Sequence, residues 1–194
     1  MNIKKIQPFA EINDESAKEI EAVSKLVKYQ LGQPISNKDR ISDEILIILQ
    51  GTARLLGFNK QDKDIITACK LGPGSIIGLG SLIKAYACEE VNAAEEINAI
   101  SIPDEAILKL YSKEKSFRNW CNQNIFPCDI LDIVNILITK SNRSDINLLA
   151  AFNAVFKNSS VSSFNNNKSI EEKENFIFEC KVCKEKTYLE SKDQ

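Results

Sequence analysis

Histidine is absent from the 194 residues of this chain. That absence removes Ser-His-Asp and Cys-His nucleophile systems and any imidazole-ligated metal site, because few other side chains titrate near neutral pH. A metal-dependent jelly-roll enzyme, the main rival for a chain of short strands, lacks its usual ligands. No other acid/base constellation stands out, so the chain is not expected to be an enzyme, and no metal or cofactor is implied. Neither sign of charge dominates: 25 Lys and Arg stand against 27 Asp and Glu, a net charge of −2. Without a basic stripe, a nucleic-acid partner has little electrostatic support. Long apolar runs are missing too. The best stretch, Ile130 to Ile138, is interrupted by Asp132 and Asn135 and falls short of a membrane span. Residues Met1 to Ile6 lack the apolar region of a secretory signal, so a reducing cytoplasmic setting is expected.

What is present is an ordinary globular composition, 43% apolar and 27% charged, long enough for one domain with extensions and a sizeable core. Six cysteines occur: Cys69, Cys88, Cys121, Cys128, Cys180 and Cys183. In a reducing compartment most of them are expected to be buried thiols. Cys180 and Cys183 have metal or redox spacing, but one pair supplies only two of the four ligands of a structural zinc. On a strand the two would also face opposite sides, so ordinary cysteines are the expectation.

Periodicity sets the order of elements. Residues 14–26 read as a helix with Asp14 as its cap and Ala17, Ile20, Val23 and Leu26 as an apolar stripe. Val27, Tyr29 and Leu31 then alternate with polar residues, which predicts a half-buried strand. Glu44 to Leu49 reads as an interior strand. Thr52 to Leu56 and Asp64 to Leu71 flank a polar tip at Asn59 to Lys63, and Val91 to Ile102 reads as one further strand with a bulge at Ala93-Ala94. Short strands at this spacing indicate a sandwich or barrel. Pro103 suits the first position of a helix ending near Tyr111. Ser112 begins another carrying Phe117, Trp120 and Cys121, of which the first two are expected in the core. Pro127 begins a third and Ser144 caps a fourth. Residues 157–175 read as a flexible linker. Phe176 to Val182 alternates as a strand with no companion left in the chain.

The most informative stretch is Leu71-Gly72-Pro73-Gly74-Ser75-Ile76-Ile77-Gly78-Leu79-Gly80-Ser81-Leu82. It reads as a strand, a Pro-Gly turn, a short apolar strand and a glycine-rich entry into a short helix. This stretch resembles the phosphate-binding cassette of the cyclic-nucleotide-binding domain family, and the order of elements over residues 8–125 is similar to that family. The resemblance implies a mainly β fold with flanking helices. Its centre is a β-barrel or jelly roll of about eight strands, with one helix before it and several after. A narrower resemblance rests on Gly78 to Lys84, Cys88 to Ala93, Pro8-Phe9, Tyr29 to Gln33 and Phe117 to Trp120. It is to the N-terminal cyclic-nucleotide-binding-like domain of cyanobacterial peptidase-containing ABC exporters, which secrete bacteriocins or toxins. The implied divisions are a barrel at 8–125, a helical extension at 126–156, the linker at 157–175 and a terminal strand or partial hairpin at 176–194.

The resemblance places a ligand site at Gly78, Leu79, Gly80, Ser81, Leu82, Lys84, Ala87 and Cys88. Backbone N–H groups from Gly78 to Leu82 would cradle a cyclic phosphate. Two departures make the site degenerate. Leu79 stands where the family has the acid that holds the ribose, and the phosphate-pairing arginine's place falls at Ala87 or Cys88. Glu89 and Glu90 follow and repel an anion. Lys84 is the nearby cation that might stand in, as a less oriented partner. Arg54 is expected on the surface. The resulting expectation is a non-catalytic regulatory or docking domain with a degenerate site, at the inner face of the plasma membrane through a parent transporter. Its late helices would dock on a protein partner. The alternatives are a genuine cyclic-nucleotide sensor, and a CRP-like transcription regulator lacking its DNA-binding domain.

Overall fold

A computed structural model describes residues 2–59, 64–141, 145–163, 175–179 and 186–191. They belong to two compact units, one of Met1–Leu56 with Cys69–Asn122 and one of Gly57–Ala68 with Gln123–Gln194. The first unit opens on a short 3-10 helix at Ile3–Lys5 and helix α1 (Asp14–Val23). The cap of α1 is Asn13, not Asp14: Asn13 has extended backbone, and its side chain accepts the Ser16 N–H at 2.8 Å. Asp14 is already helical and pairs with Lys4 at 2.7 Å, and the hydrogen bond from Lys4 holds its carboxyl below the usual range. The helix also ends before Leu26. That residue lies on the next strand and is 77% exposed, so it does not extend the stripe of Ala17 and Ile20.

Eight strands follow: β1 (Lys25–Tyr29), β2 (Pro34–Ser36), β3 (Glu44–Gln50), β4 (Ala53–Asn59), β5 (Asp64–Leu71), β6 (Ile76–Ile77), β7 (Val91–Ala93) and β8 (Ile97–Pro103). They form two four-stranded sheets with orders β1-β8-β3-β6 and β2-β7-β4-β5, the antiparallel jelly roll expected. The centre of the first sheet is the pair β3–β8, in register from Glu44↔Pro103 to Ile48↔Ala99. Ile45, Leu46, Ile47, Ile48, Ala99, Ile100 and Ile102 on these strands are all buried. A strand buried on both faces needs a continuous apolar run rather than alternation, which explains the pattern of β3. Helix α1 and a later helix, α3 (Asp104–Lys113), lie against β8 and cover its other face.

The single strand expected over Val91 to Ile102 is two strands in different sheets. The chain leaves β7 at Ala93, Ala94 donates its N–H to the Thr52 carbonyl at 2.8 Å, and β8 resumes at Ile97. Gly51 makes this crossing fit. Its φ is +91°, and a Cβ there would lie 2.3 Å from the Glu96 carbonyl oxygen. Pro103 is likewise the last residue of β8 and the cap of α3 rather than its first helical residue, because it still pairs with Glu44. Helix α3 runs on to Lys113, and α4 (Lys115–Gln123) begins at Lys115, not Ser112. Between them sits Glu114, a buried carboxylate that accepts from Ser16 Oγ at 2.6 Å and from Asn13 Nδ2. Lys109 and Lys113 reach Glu19 at 2.9 and 3.4 Å on the surface. Phe117 is buried against Phe9 with ring centroids 5.4 Å apart, and Trp120 is half-buried.

In the second unit, α5 (Pro127–Ser141) starts at Pro127 and buries Ile130, Leu131, Ile133 and Val134. Gly57 on β4 belongs to this unit, and a Cβ on it would meet Leu131 Cδ1 at 3.1 Å. Helix α6 (Leu148–Asn158) is capped by Asn147, which accepts the Ala150 N–H at 2.9 Å. Ser144, expected as that cap, lies outside the described residues, as do most of the tip Asn59 to Lys63 and the pair Cys180 and Cys183. Strand β9 (Ser159–Ser163) lies inside the stretch expected to be linker. With β10 (Asn175–Glu179) and β11 (Lys186–Ser191) it forms a sheet of order β10-β11-β9. The strand read as lacking a companion therefore has β11 beside it. Serine-rich composition hid β9, because strand pairing is carried by backbone groups that every residue but proline supplies.

Gly51→Ala combines left-handed backbone strain with a clash against the backbone. It is expected to lower stability by about 2 kcal/mol or more, read as a shifted midpoint in urea unfolding. An unchanged midpoint would show that the crossing between the sheets is not fixed by this contact.

Candidate functional site

The cassette is built from a turn, a two-residue strand and one short helix. Pro73 and Gly74 occupy the centre of a turn closed by the Ser75 N–H on the Gly72 carbonyl at 3.0 Å. Proline presets the first central residue, and Gly74 supplies φ +87° at the second, the requirement of a type II turn. The turn is stitched to β3, since Gly74 donates to Ile48 O at 2.8 Å and Ile48 to Ser75 O at 3.0 Å. Strand β6 then pairs Ile76 and Ile77 with Ile47 and Leu46. Gly78 caps helix α2 (Leu79–Lys84) in the left-handed region with φ +90°. A Cβ on it would approach the Glu44 carbonyl oxygen to 3.1 Å, so β3 seats the cassette from below.

Several of the cassette's polar groups are bonded within the chain. The Gly78 N–H donates to Glu89 Oε2 at 2.7 Å, and Glu89 is buried, 6% exposed. Ser81 Oγ accepts the Cys88 N–H at 3.2 Å and lies 3.3 Å from Cys88 Sγ. The Tyr86 N–H closes on Ser81 O at 3.1 Å. Residues 81 to 88 thus form a loop tied at its neck by one hydroxyl.

Of the residues expected at the site, Gly78, Leu79, Gly80, Ser81, Leu82 and Cys88 are buried together around this neck. Leu79 is fully buried and has no group to offer a sugar. Ala87 is half-buried and carries no charge, while Lys84 and Arg54 are exposed. The residue that the sequence reading missed as a partner is Glu89, taken there only as a source of repulsion. Its signal was the run Cys88-Glu89-Glu90-Val91 entering an interior strand, where only one of two adjacent carboxylates stays on the solvent side. A buried carboxylate must find a donor, and the cap residue of α2 has a free one.

Two of the described thiols, Cys69 and Cys121, are held in the protonated form. Burial pushes Cys69 up to about 11 and Cys121 up to about 12, far from a reactive thiolate.

Comparison with known proteins matches this geometry. Residues 26–114 match the family model of the Cyclic nucleotide-binding domain. Among solved structures, a protein from Geobacter metallireducens described as cyclic nucleotide-binding is 22% identical, with a TM-score of 0.51 over 61% of this chain and 86% of that one. The N-terminal domain of a transcriptional regulator from Streptomyces coelicolor is 16% identical, with a TM-score of 0.51 over 76% and 96%. At these identities the likeness is one of fold. No curated protein matches the chain in sequence. The eight-stranded barrel with its cassette has the fold of the cyclic nucleotide-binding domain.

Two readouts follow for Cys121. Site-resolved alkylation at pH 8 should leave it unmodified in the folded protein and modify it in denaturant. Its thiol ionises in the unfolded chain from near 9.0 upward, whereas the folded form holds the proton to about 12. The unfolded state therefore binds fewer protons in that window, and stability should fall as pH rises from 9 toward 12. Cys121→Ala should flatten the slope of unfolding free energy against pH in that range, and an identical slope in both proteins would rule the thiol out.

Proposed function

We propose that this chain is a non-catalytic regulatory or docking domain whose cassette is occupied by its own Glu89 carboxylate. The observation that carries the proposal is the 2.7 Å bond from the Gly78 N–H to a buried glutamate. A hydrogen bond to a charged group contributes about 1.5–3 kcal/mol. An incoming phosphate must displace that bond and then bear repulsion from the carboxylate it displaced. Neither Ala87 nor Cys88 offers a cation in return, and buried Leu79 offers the ribose nothing. Output then comes through protein contact. Ile136, Leu149 and Phe156 of α5 and α6 are 52%, 37% and 37% exposed, apolar surface suited to a partner. By its narrower sequence resemblance, the setting is the cytoplasmic N-terminal part of a peptide-exporting ABC transporter. Membrane spans and a nucleotide loop encoded beside or beyond this reading frame would support that setting.

Calorimetric titration with cyclic AMP and cyclic GMP at low salt tests the occupied cassette. No saturable heat is expected at millimolar ligand. Glu89→Gln keeps the shape but turns a charge-assisted acceptor into a neutral one, and it should speed amide hydrogen exchange at Gly78 by tenfold or so. Saturable micromolar binding by the unaltered protein would overturn the proposal in favour of a cyclic-nucleotide sensor.

A further inference from the structure

We infer that the loop joining β2 to β3 holds a site for a small oxyanion, a free phosphate-sized ion or the phosphoryl group of a small ester. The loop forms an open surface depression of about 60 Å³ lined by Ile35, Ser36, Asn37, Arg40 and Ser42. None of the cassette residues lines it, so the inference stands apart from the reading of Glu89. The lining is rich in donors and contains no carboxylate. Asp39 and Asp43 neighbour it in sequence but are not part of the wall. Among the described residues Arg40 makes no ion pair, which leaves its planar fork of N–H groups available. Asn37 spends its carbonyl oxygen on the Asp39 N–H at 3.2 Å, and its amide hydrogens remain to donate. Ser42 adds a hydroxyl.

The wall is held from behind. Ser36 pairs with Val91 across β2–β7, and its hydroxyl donates to the Glu89 carbonyl at 3.4 Å. The register shift between Pro34 and Ser36 sets Ile35 out of the ladder, where it forms the apolar side of the depression. The depression, near 60 Å³ and with exposed Asn37 and Arg40 at its rim, seats one tetrahedral oxyanion and leaves any attached group outside. A guanidinium fork with hydroxyl and amide donors is the set that fits such an anion.

Amide and arginine-side-chain NMR during titration of the full chain with inorganic phosphate, and separately with glycerol 3-phosphate, tests the site. Saturable shifts are expected at Ser36, Asn37, Arg40 and Ser42 with at least one of the two, while Gly78 and Gly80 stay still. Phosphate alone marks a free-ion site, and the ester alone marks a phosphoryl group on a larger ligand. Arg40→Gln should weaken binding tenfold or more, and Arg40→Lys should restore part of the loss. Shifts confined to Gly78–Leu82, binding unchanged in Arg40→Gln, or no saturation with either anion overturns the inference. The first of these would also count against the occupied cassette, whereas the other two leave that reading intact.

Discussion

The pairing of β3 with β8 is the constraint from which the rest of the first unit follows. Each strand is buried on both sides, so the two hold a ladder away from water and give the barrel its most apolar layer. Strand β1 adds to one side of that pair and β6 to the other. Helices α1 and α3 rest on β8. The cassette hangs from β3 through the Ile48 bonds to the turn at Gly72 to Ser75 and through the close approach of Gly78 to the Glu44 carbonyl. A substitution that disturbs β3 therefore disturbs the cassette, although no β3 side chain needs to reach it.

A second layer of organisation is polar and sits at corners. Asn13, Ser16 and Glu114 tie the start of α1 to the junction of α3 and α4. Glu89 ties the strand entering β7 back to the start of α2. Glu114 accepts from two side chains and Glu89 from a backbone N–H at a helix start, so each buried carboxylate has a donor. These two glutamates look unremarkable in composition and decide where the chain turns.

Much of the architecture was legible in the residues. Periodicity placed β3, β5, α2 and the start of α5, because Ile45–Ile48, the Pro73-Gly74 turn and Pro127 each impose a local geometry that tertiary contacts do not override. Two misreadings share one cause: splitting Val91–Ile102 between two sheets and pairing the serine strand β9 both depend on partners distant in sequence. The site divided the same way. The glycine-rich entry into α2 could be read from the chain, because it is a statement about neighbouring residues. That Glu89 reaches Gly78 could not, because it is a statement about two residues 11 positions apart and the loop between them.

The short loop from Ser81 to Cys88 gives that bond a further meaning. Tethering replaces a ligand's bulk concentration with an effective one, on the order of millimolar for short flexible connections. Glu89 is carried on a connection shorter and better fastened than that, with Ser81 knotting its neck. A free anion present at micromolar levels starts the contest for the Gly78 N–H at a disadvantage of roughly a thousandfold before any contact is counted. On the proposed reading, the chain is a receptor synthesised together with its occupant, and its resting state is set when the polypeptide folds rather than by what the surrounding solution contains.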